Sequence, residues 1–307
     1  MMVPSAAWLL LMVGCGSASA SPRYPLPAKL PPHPRLILTS NALDHLKHAI
    51  ATDAVATQAF EQALATAERA LEPSLPPYPN CSAVGLCRGP AGAGGTGTVD
   101  SGGRYIDSGG KSGSCSRPWW CCWCCQDGAD SSSLSSVADA VTLALVHRLL
   151  ANGTHPSSKP SAWSRAAVRA LEHWAGYPSW YWPVGQALEL SGATLNFALC
   201  YDWLHDVLTP EEKKMVQGAI VSKGLEVARS NYRMELWWTR DIYNWNLVSN
   251  GGMVAASLAV DGEHALAQEV FEGALGAMQH ALVSWQPSGV WPEGSGYWSY
   301  ALQVRDS

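Results

Sequence analysis

The chain has 307 residues, 47% hydrophobic and 15% charged, enough apolar material for one sizeable core and too little charge for a disordered polyelectrolyte. Lys and Arg number 20 against 25 Asp and Glu, a net charge of -5, so no global basic field holds nucleic acid. Past residue 20 no apolar run is long enough to span a bilayer.

The first element is an apolar block, Ala6 to Val13, followed by the small-residue triplet Ala18-Ser19-Ala20. It reads as a secretory signal peptide over 1–20, although no Lys or Arg precedes the block. A second reading is a lipoprotein signal with Cys15 as the lipidated residue. Residues 21–75 form a strap and the first helices: Pro22 to Pro34 is too rich in proline to be helical, and Thr39-Ser40-Asn41 starts a helix carrying Leu43, Leu46 and Ile50. A second helix is expected at about Val55 to Leu71. Residues 76–133 break the pattern as a Cys/Gly-rich insertion.

Seven of the nine cysteines crowd between Cys81 and Cys125, and Cys200 stands apart. In an exported chain the crowded set reads as disulfides of undetermined pairing. Zinc is the rival, since Cys121 to Cys124 and Cys122 to Cys125 have CxxC spacing. Those pairs overlap and no second pair follows, so neither a metal nor a cofactor is expected. Asn80 and Asn152 each open a glycosylation sequon.

From Leu134 the periodicity is helical, with helices predicted near 134–151, 161–175, 187–207, 210–228, 246–260 and 263–284, and a last one from about 296. Thr209-Pro210-Glu211-Glu212 supplies a cap, a first-turn proline and acids for the helix dipole. Short connections between helices imply antiparallel hairpins, and the absence of a fixed repeat favours a closed ring over a solenoid. The expected class is all-α over 134–307.

Two segments carry more polar and aromatic side chains than a core helix needs. Trp237 to Gly252 holds Asn246 and Asn250 four apart, hence on one helical face. The alternative makes Asn244 an N-cap and Asn246 a first-turn partner of backbone groups. Trp285 to Tyr300 is a Pro/Gly loop running into a helix that presents Tyr297 and Tyr300. The alternative there is two ordinary half-buried aromatics. The aromatic count, Trp 15 and Tyr 10 against Phe 3, favours rings with a polar edge, as a wet cleft would. Trp180, Tyr181, Trp182, Trp237, Trp238 and Trp245 are candidates to line such a groove or to pack between helices.

Four stretches together resemble the heparinase II/III-like polysaccharide lyases and their uronyl epimerase relatives. They are His33-Pro34-Arg35-Leu36; Tyr201-Asp202-Trp203-Leu204 with Leu208-Thr209-Pro210-Glu211-Glu212; Asn244-Trp245-Asn246 through Asn250-Gly251-Gly252; and Trp291-Pro292-Glu293-Gly294-Ser295-Gly296-Tyr297-Trp298-Ser299-Tyr300. The resemblance implies an incomplete (α/α) toroid and β-elimination at a uronic acid. It implies Asn246 as the amide that neutralises the carboxylate, with Asn250 supporting it. Tyr297, or Tyr300 if the alignment slips by a turn, would be the base and acid. Trp245, Trp238, Arg240 and Glu293 are the substrate-side candidates, with a structural role for Glu293 as the alternative; the partner would be an acidic polysaccharide. Members of that family continue into a β-sandwich bearing a catalytic histidine, so a chain ending at Ser307 reads as truncated. A different enzyme class, a glycoside hydrolase with Asp241 and Glu293 as paired carboxylates, is the competing reading. An inactive carbohydrate-binding relative is the third.

Overall fold

The computed structural model describes residues 26, 30–72, 98–99, 105–106, 112–113, 133–151, 159–177, 179–180 and 187–302, the backbone alone at 98–99, 105–106, 112–113, 133–136, 300 and 302. Residues 1–20 with Cys15, the crowded cysteines, Asn80, Asn152, Tyr181 and Trp182 lie outside these residues. The fold is all-helical. Its only strands among the described residues are the two-residue β1 (Thr98–Val99), β2 (Tyr105–Ile106) and β3 (Ser112–Gly113), an antiparallel meander within the Cys/Gly-rich segment.

The helices are α1 (Ser40–Thr52), α2 (Ala54–Arg69), α3 (Ser133–Leu150), α4 (Pro160–Ala175), α5 (Ala187–Leu204), α6 (Pro210–Ala219), α7 (Glu226–Arg233), α8 (Trp237–Arg240), α9 (Asn244–Ala259), α10 (Leu266–Leu282) and α11 (Gly294–Leu302). Their starts follow the chemistry of their caps. Thr39 Oγ1 accepts from Ala42 N at the head of α1, and Asp53 accepts from Val55 and Ala56 at the head of α2. Thr209 and Glu212 close a reciprocal capping box on α6, with bonds of 3.2 and 2.8 Å.

Three boundaries depart from the sequence expectation. The helix predicted to reach 207 stops at Leu204, whose carbonyl accepts from the amides of both Val207 and Leu208. The helix predicted as 210–228 is α6 and α7 joined by a π-helical segment, Ile220–Leu225. The helix predicted from 263 starts at Leu266, because Gly262, at a φ of 78°, turns the chain first.

α5 is the centre of the molecule. Fifteen of its 18 side chains are buried, so it has no solvent face and must be surrounded. α3, α9 and the π segment do most of this; α4 pairs with α3, and α10 and α11 pack on α9. Small residues let α9 approach closely. A Cβ added at Gly252 would run into Ser191 Oγ and stand 2.7 Å from the Ser191 carbonyl oxygen, and Ser191 Oγ donates to Val248 O at 2.9 Å. The π segment comes equally near, since a Cβ on Gly224 would sit 2.8 Å from the Thr194 side chain.

The strap is pinned to the C-terminal end of α5. The fully buried Asp202 carboxylate accepts from the amides of Arg35 (2.9 Å) and Leu36 (2.8 Å) and pairs with His33 Nδ1 at 2.5 Å. Trp203 Nε1 donates to Leu36 O at 3.1 Å. Between the buried Leu36 and Leu38 the chain bends at exposed Ile37, whose φ of 48° is costly for a β-branched residue. The strain is tolerated because both flanking leucines then reach the core.

Substituting Gly252→Ala should destabilise the protein by about 1–3 kcal/mol through overpacking of the α5–α9 crossing. Thermal unfolding checks this, and a melting temperature equal to wild type would contradict it.

Candidate active site

The segment joining α7 to α9 shapes one side of the site. Glu235 takes a φ of 51°, the short helix α8 follows, and Asp241 returns to extended backbone before α9 begins at Asn244. A four-residue helix cannot satisfy its own last carbonyls. Asn246 supplies the missing donor: its Nδ2 reaches Trp238 O (3.3 Å) and Thr239 O (3.2 Å), and also Ala277 O on α10 at 3.0 Å. Asn250 continues the polar row, donating from Nδ2 to Asn246 O at 2.7 Å and accepting from Tyr232 Oη at 2.7 Å. Both asparagines are 0% exposed.

The segment before α11 shapes the other side. Gly289 and Gly294 take positive φ angles, 77° and 85°, and Trp291 is buried against Leu247, Leu275, Met278 and Ala281. The Glu293 carboxylate then accepts from Asn244 N (2.8 Å), Asn244 Nδ2 (2.7 Å) and Trp291 Nε1 (3.1 Å). One carboxylate thereby ties the start of α9 to the start of α11, joining the two polar-aromatic segments. It also sits at the N-terminus of α9, where a negative charge is favoured.

Outside this tie the surface is aromatic. Tyr297 is 54% exposed and Trp298, next to it on α11, is also exposed. Trp237 is half exposed and meets the partly buried Trp245 edge-on at 5.2 Å; Tyr243 is exposed beside them in the chain. Arg240 is exposed and bonded to Glu235 at 2.5 Å, a pair that solvent weakens. Burial raises the pKa of Asp241 above the usual carboxylate range, against the bonds from the Ile242 and Tyr243 amides, and the charge of Glu293 adds to the rise.

Several expected substrate contacts are therefore elsewhere. Asn246 and Asn250 stand in the core, both 0% exposed, because the last carbonyls of α8 and the Ala277 carbonyl of α10 claim the Asn246 amide. Trp238 is completely buried and packs against Tyr232 at 5.6 Å. Trp180 is buried too, donating to Trp174 O and tilted against Phe197. Glu293 serves backbone and indole N–H groups, the structural alternative for that residue. Exposed candidates are Tyr297, Trp237 and Arg240, with Trp245 half-buried. Tyr243 and Trp298 were not singled out from sequence, although both lie inside the two selected segments. The Asn244–Glu293 partnership was missed as well, since nothing local links residues 49 apart.

Among the described residues, His33, His205 and Glu263 each bring a possible metal-ligand atom within 4.8 Å of the others. The two imidazoles are stacked 4.0 Å apart and 17° from parallel, so their in-plane lone pairs run side by side and do not converge. Arg35 Nη2 lies 2.6 Å from His33 Nε2, where an ion would bind. The arrangement suits hydrogen bonding better than coordination.

No family model matches the chain, and no curated protein matches it.

Replacing Asn246 by Ala should cost about 1–3 kcal/mol, by stripping buried carbonyls of their donor. Asn246→Asp should cost more, since it turns the donor into a buried charge facing those carbonyls. Urea unfolding measures both, and a variant as stable as wild type would exclude the stitching role.

Proposed function

We propose that the chain is an exported polysaccharide lyase, its helices arranged as an incomplete (α/α) toroid, that cuts a uronic-acid-containing glycan by β-elimination. The observation that carries this reading is the Glu293 tie. It unites the two segments whose residues resemble the lyase family, while the helix that follows carries Tyr297 and Trp298 on its exposed side. Exposed Trp and Tyr rings, here Trp237, Tyr243 and Trp298, suit the apolar faces of sugar units and offer polar edges to water.

In this mechanism Tyr297 acts as the base that takes the proton from C5, the electron pair forms the C4–C5 double bond, and the C4–oxygen bond breaks. The departing oxygen receives a proton, which the same tyrosine can return. Charge gathers on the uronate carboxylate as the C5 proton leaves, so a donor or cation must meet it. Asn246, with its amide committed to three carbonyls, acts in this reading as a positioning residue that holds α8 against α9 and α10. The task passes to Arg240, the cation of the same segment, whose exposed pairing with Glu235 is cheap to exchange.

A hydrolase using Asp241 and Glu293 draws support from the raised pKa of Asp241, which suits a general acid. It is the weaker reading, because the three donors on Glu293 hold that carboxylate away from other work.

The test is incubation with a panel of uronic-acid polysaccharides, following ultraviolet absorbance from the unsaturated product. Elimination is expected with at least one of them, and Tyr297→Phe should lower the rate about 100-fold or more with unchanged far-ultraviolet dichroism. New reducing ends without absorbance would favour hydrolysis. Binding without turnover would leave a carbohydrate-binding protein.

A further inference from the structure

His33 Nε2 lies between two groups that require opposite protonation of it. Arg35 Nη2, at 2.6 Å, can only donate, so it needs a lone pair on that nitrogen. Glu263 Oε1, at 3.2 Å, can only accept, so it needs a proton there. The other ring nitrogen faces Asp202, which is fully buried and also holds the strap amides of Arg35 and Leu36. His205 stacks on His33 at 4.0 Å, with its own Nε2 3.9 Å from the same Glu263 oxygen. A proton on each of two imidazoles in face contact would set like charges against each other, with the Arg35 guanidinium adjoining both.

We propose that the stacked His33–His205 pair is a one-charge latch: the strap is held most tightly when His33 alone is an imidazolium, and loosens when both rings are charged or neither is. Two carboxylates, Asp202 and Glu263, face the His33 ring and favour its charge; the Arg35 guanidinium opposes it, and has Glu263 Oε1, 4.0 Å away, as its alternative partner. From the strap come His33 and Arg35; from α5 and the turn after it, Tyr201, Asp202 and His205; from α6, Lys213 and Gln217; and from the turn after α9, Glu263 and the Asp261 carbonyl. Glu263 is fixed as the shared acceptor, since its second oxygen receives Tyr201 Oη and, at 2.8 Å, Gln217 Nε2.

The two rings respond to pH with opposite sign. Burial disfavours charge on His33, but its bonds to Asp202 and Glu263 outweigh that and raise its pKa above the ordinary histidine range. The contribution of His33 is therefore complete below that range and is lost as pH rises through its folded value. Burial, followed by the charges of His33 and Lys213, lowers the pKa of His205, so its contribution is complete above the ordinary range and lost as pH falls. Burial pushes the Glu263 carboxyl up, yet the bonds from His33 and Tyr201 prevail and bring it down to about 2, so it stays ionised across both transitions.

The experiment follows both imidazoles by NMR on the full chain between roughly pH 5 and 8. Alongside it, hydrogen exchange of the Arg35 and Leu36 amides is corrected for intrinsic exchange. Two separated titrations are expected, His33 holding its proton to the higher pH. The strap amides should be best protected between the two and exchange about tenfold faster at each end. His205→Phe keeps a stacked ring that cannot be protonated, so it should remove the acidic limb and keep the alkaline one. Glu263→Gln should move the alkaline limb to lower pH. Should His205→Phe not fold, the two wild-type titrations decide alone. The latch is overturned if both rings titrate together or if His205→Phe retains the acidic limb. It is equally overturned if Zn2+ added to wild type protects the strap amides and that protection is lost in His205→Phe, which would make the cluster a metal centre.

Discussion

A helix with no solvent face can exist only if something covers every side, and α5 imposes that demand on the rest of the chain. Leu190, Phe197, Leu204 and Cys200 leave no stripe for water, so α3, α9 and the π segment enclose it. The contacts are close because Gly252 and Gly224 carry no side chain where they meet Ser191 and Thr194. The position of α9 sets that of Asn244 and Asn246, and through them the placement of α8 and of the loop before α11. The candidate site is thus a consequence of how α5 is covered.

Polar groups are handled throughout by pairing them where secondary structure ends. Asp202 collects amides of a strap that has no regular structure, Asn246 collects carbonyls of a helix too short to use them, and Glu293 collects the first amide of α9. Each substitutes for a hydrogen bond that helix geometry leaves open. Burial alone would penalise the Asp202 carboxylate and the Asn246 amide nitrogen, and their partners offset that cost, whereas Asn246 Oδ1 is buried with no hydrogen-bond partner.

Much of the helical plan was legible in the chain. Thr209-Pro210-Glu211-Glu212 forms its capping box, and the 3.6-residue periodicity locates α3, α4, α5, α9 and α10 to within a few residues. The break into a π segment was not legible, because Ile220–Leu225 has nothing in its composition that distinguishes π from α. Asn246 and Asn250 share one helical face, and the resemblance to the lyases is what gave them a ligand-facing role. What claims Asn246 is the carbonyl set of Trp238, Thr239 and Ala277, the last of them 31 residues away. The exposure of Tyr297 accords with the Pro/Gly loop that precedes its helix. His33 was legible only as part of a motif, since its partners Asp202 and Glu263 lie 169 and 230 residues away.

The π segment between α6 and α7 accommodates more residues per turn than an α-helix, so it shifts the angular phase of everything after it. A single continuous rod spanning 210–233 would present one unbroken stripe to its surroundings. With the phase shifted, the first half leans on α4 while the second turns toward α10, and Tyr232 swings inward to meet Asn250. One stretch of chain thereby serves two neighbours that an evenly wound rod could not address together, without a loop and without exposing backbone at the join.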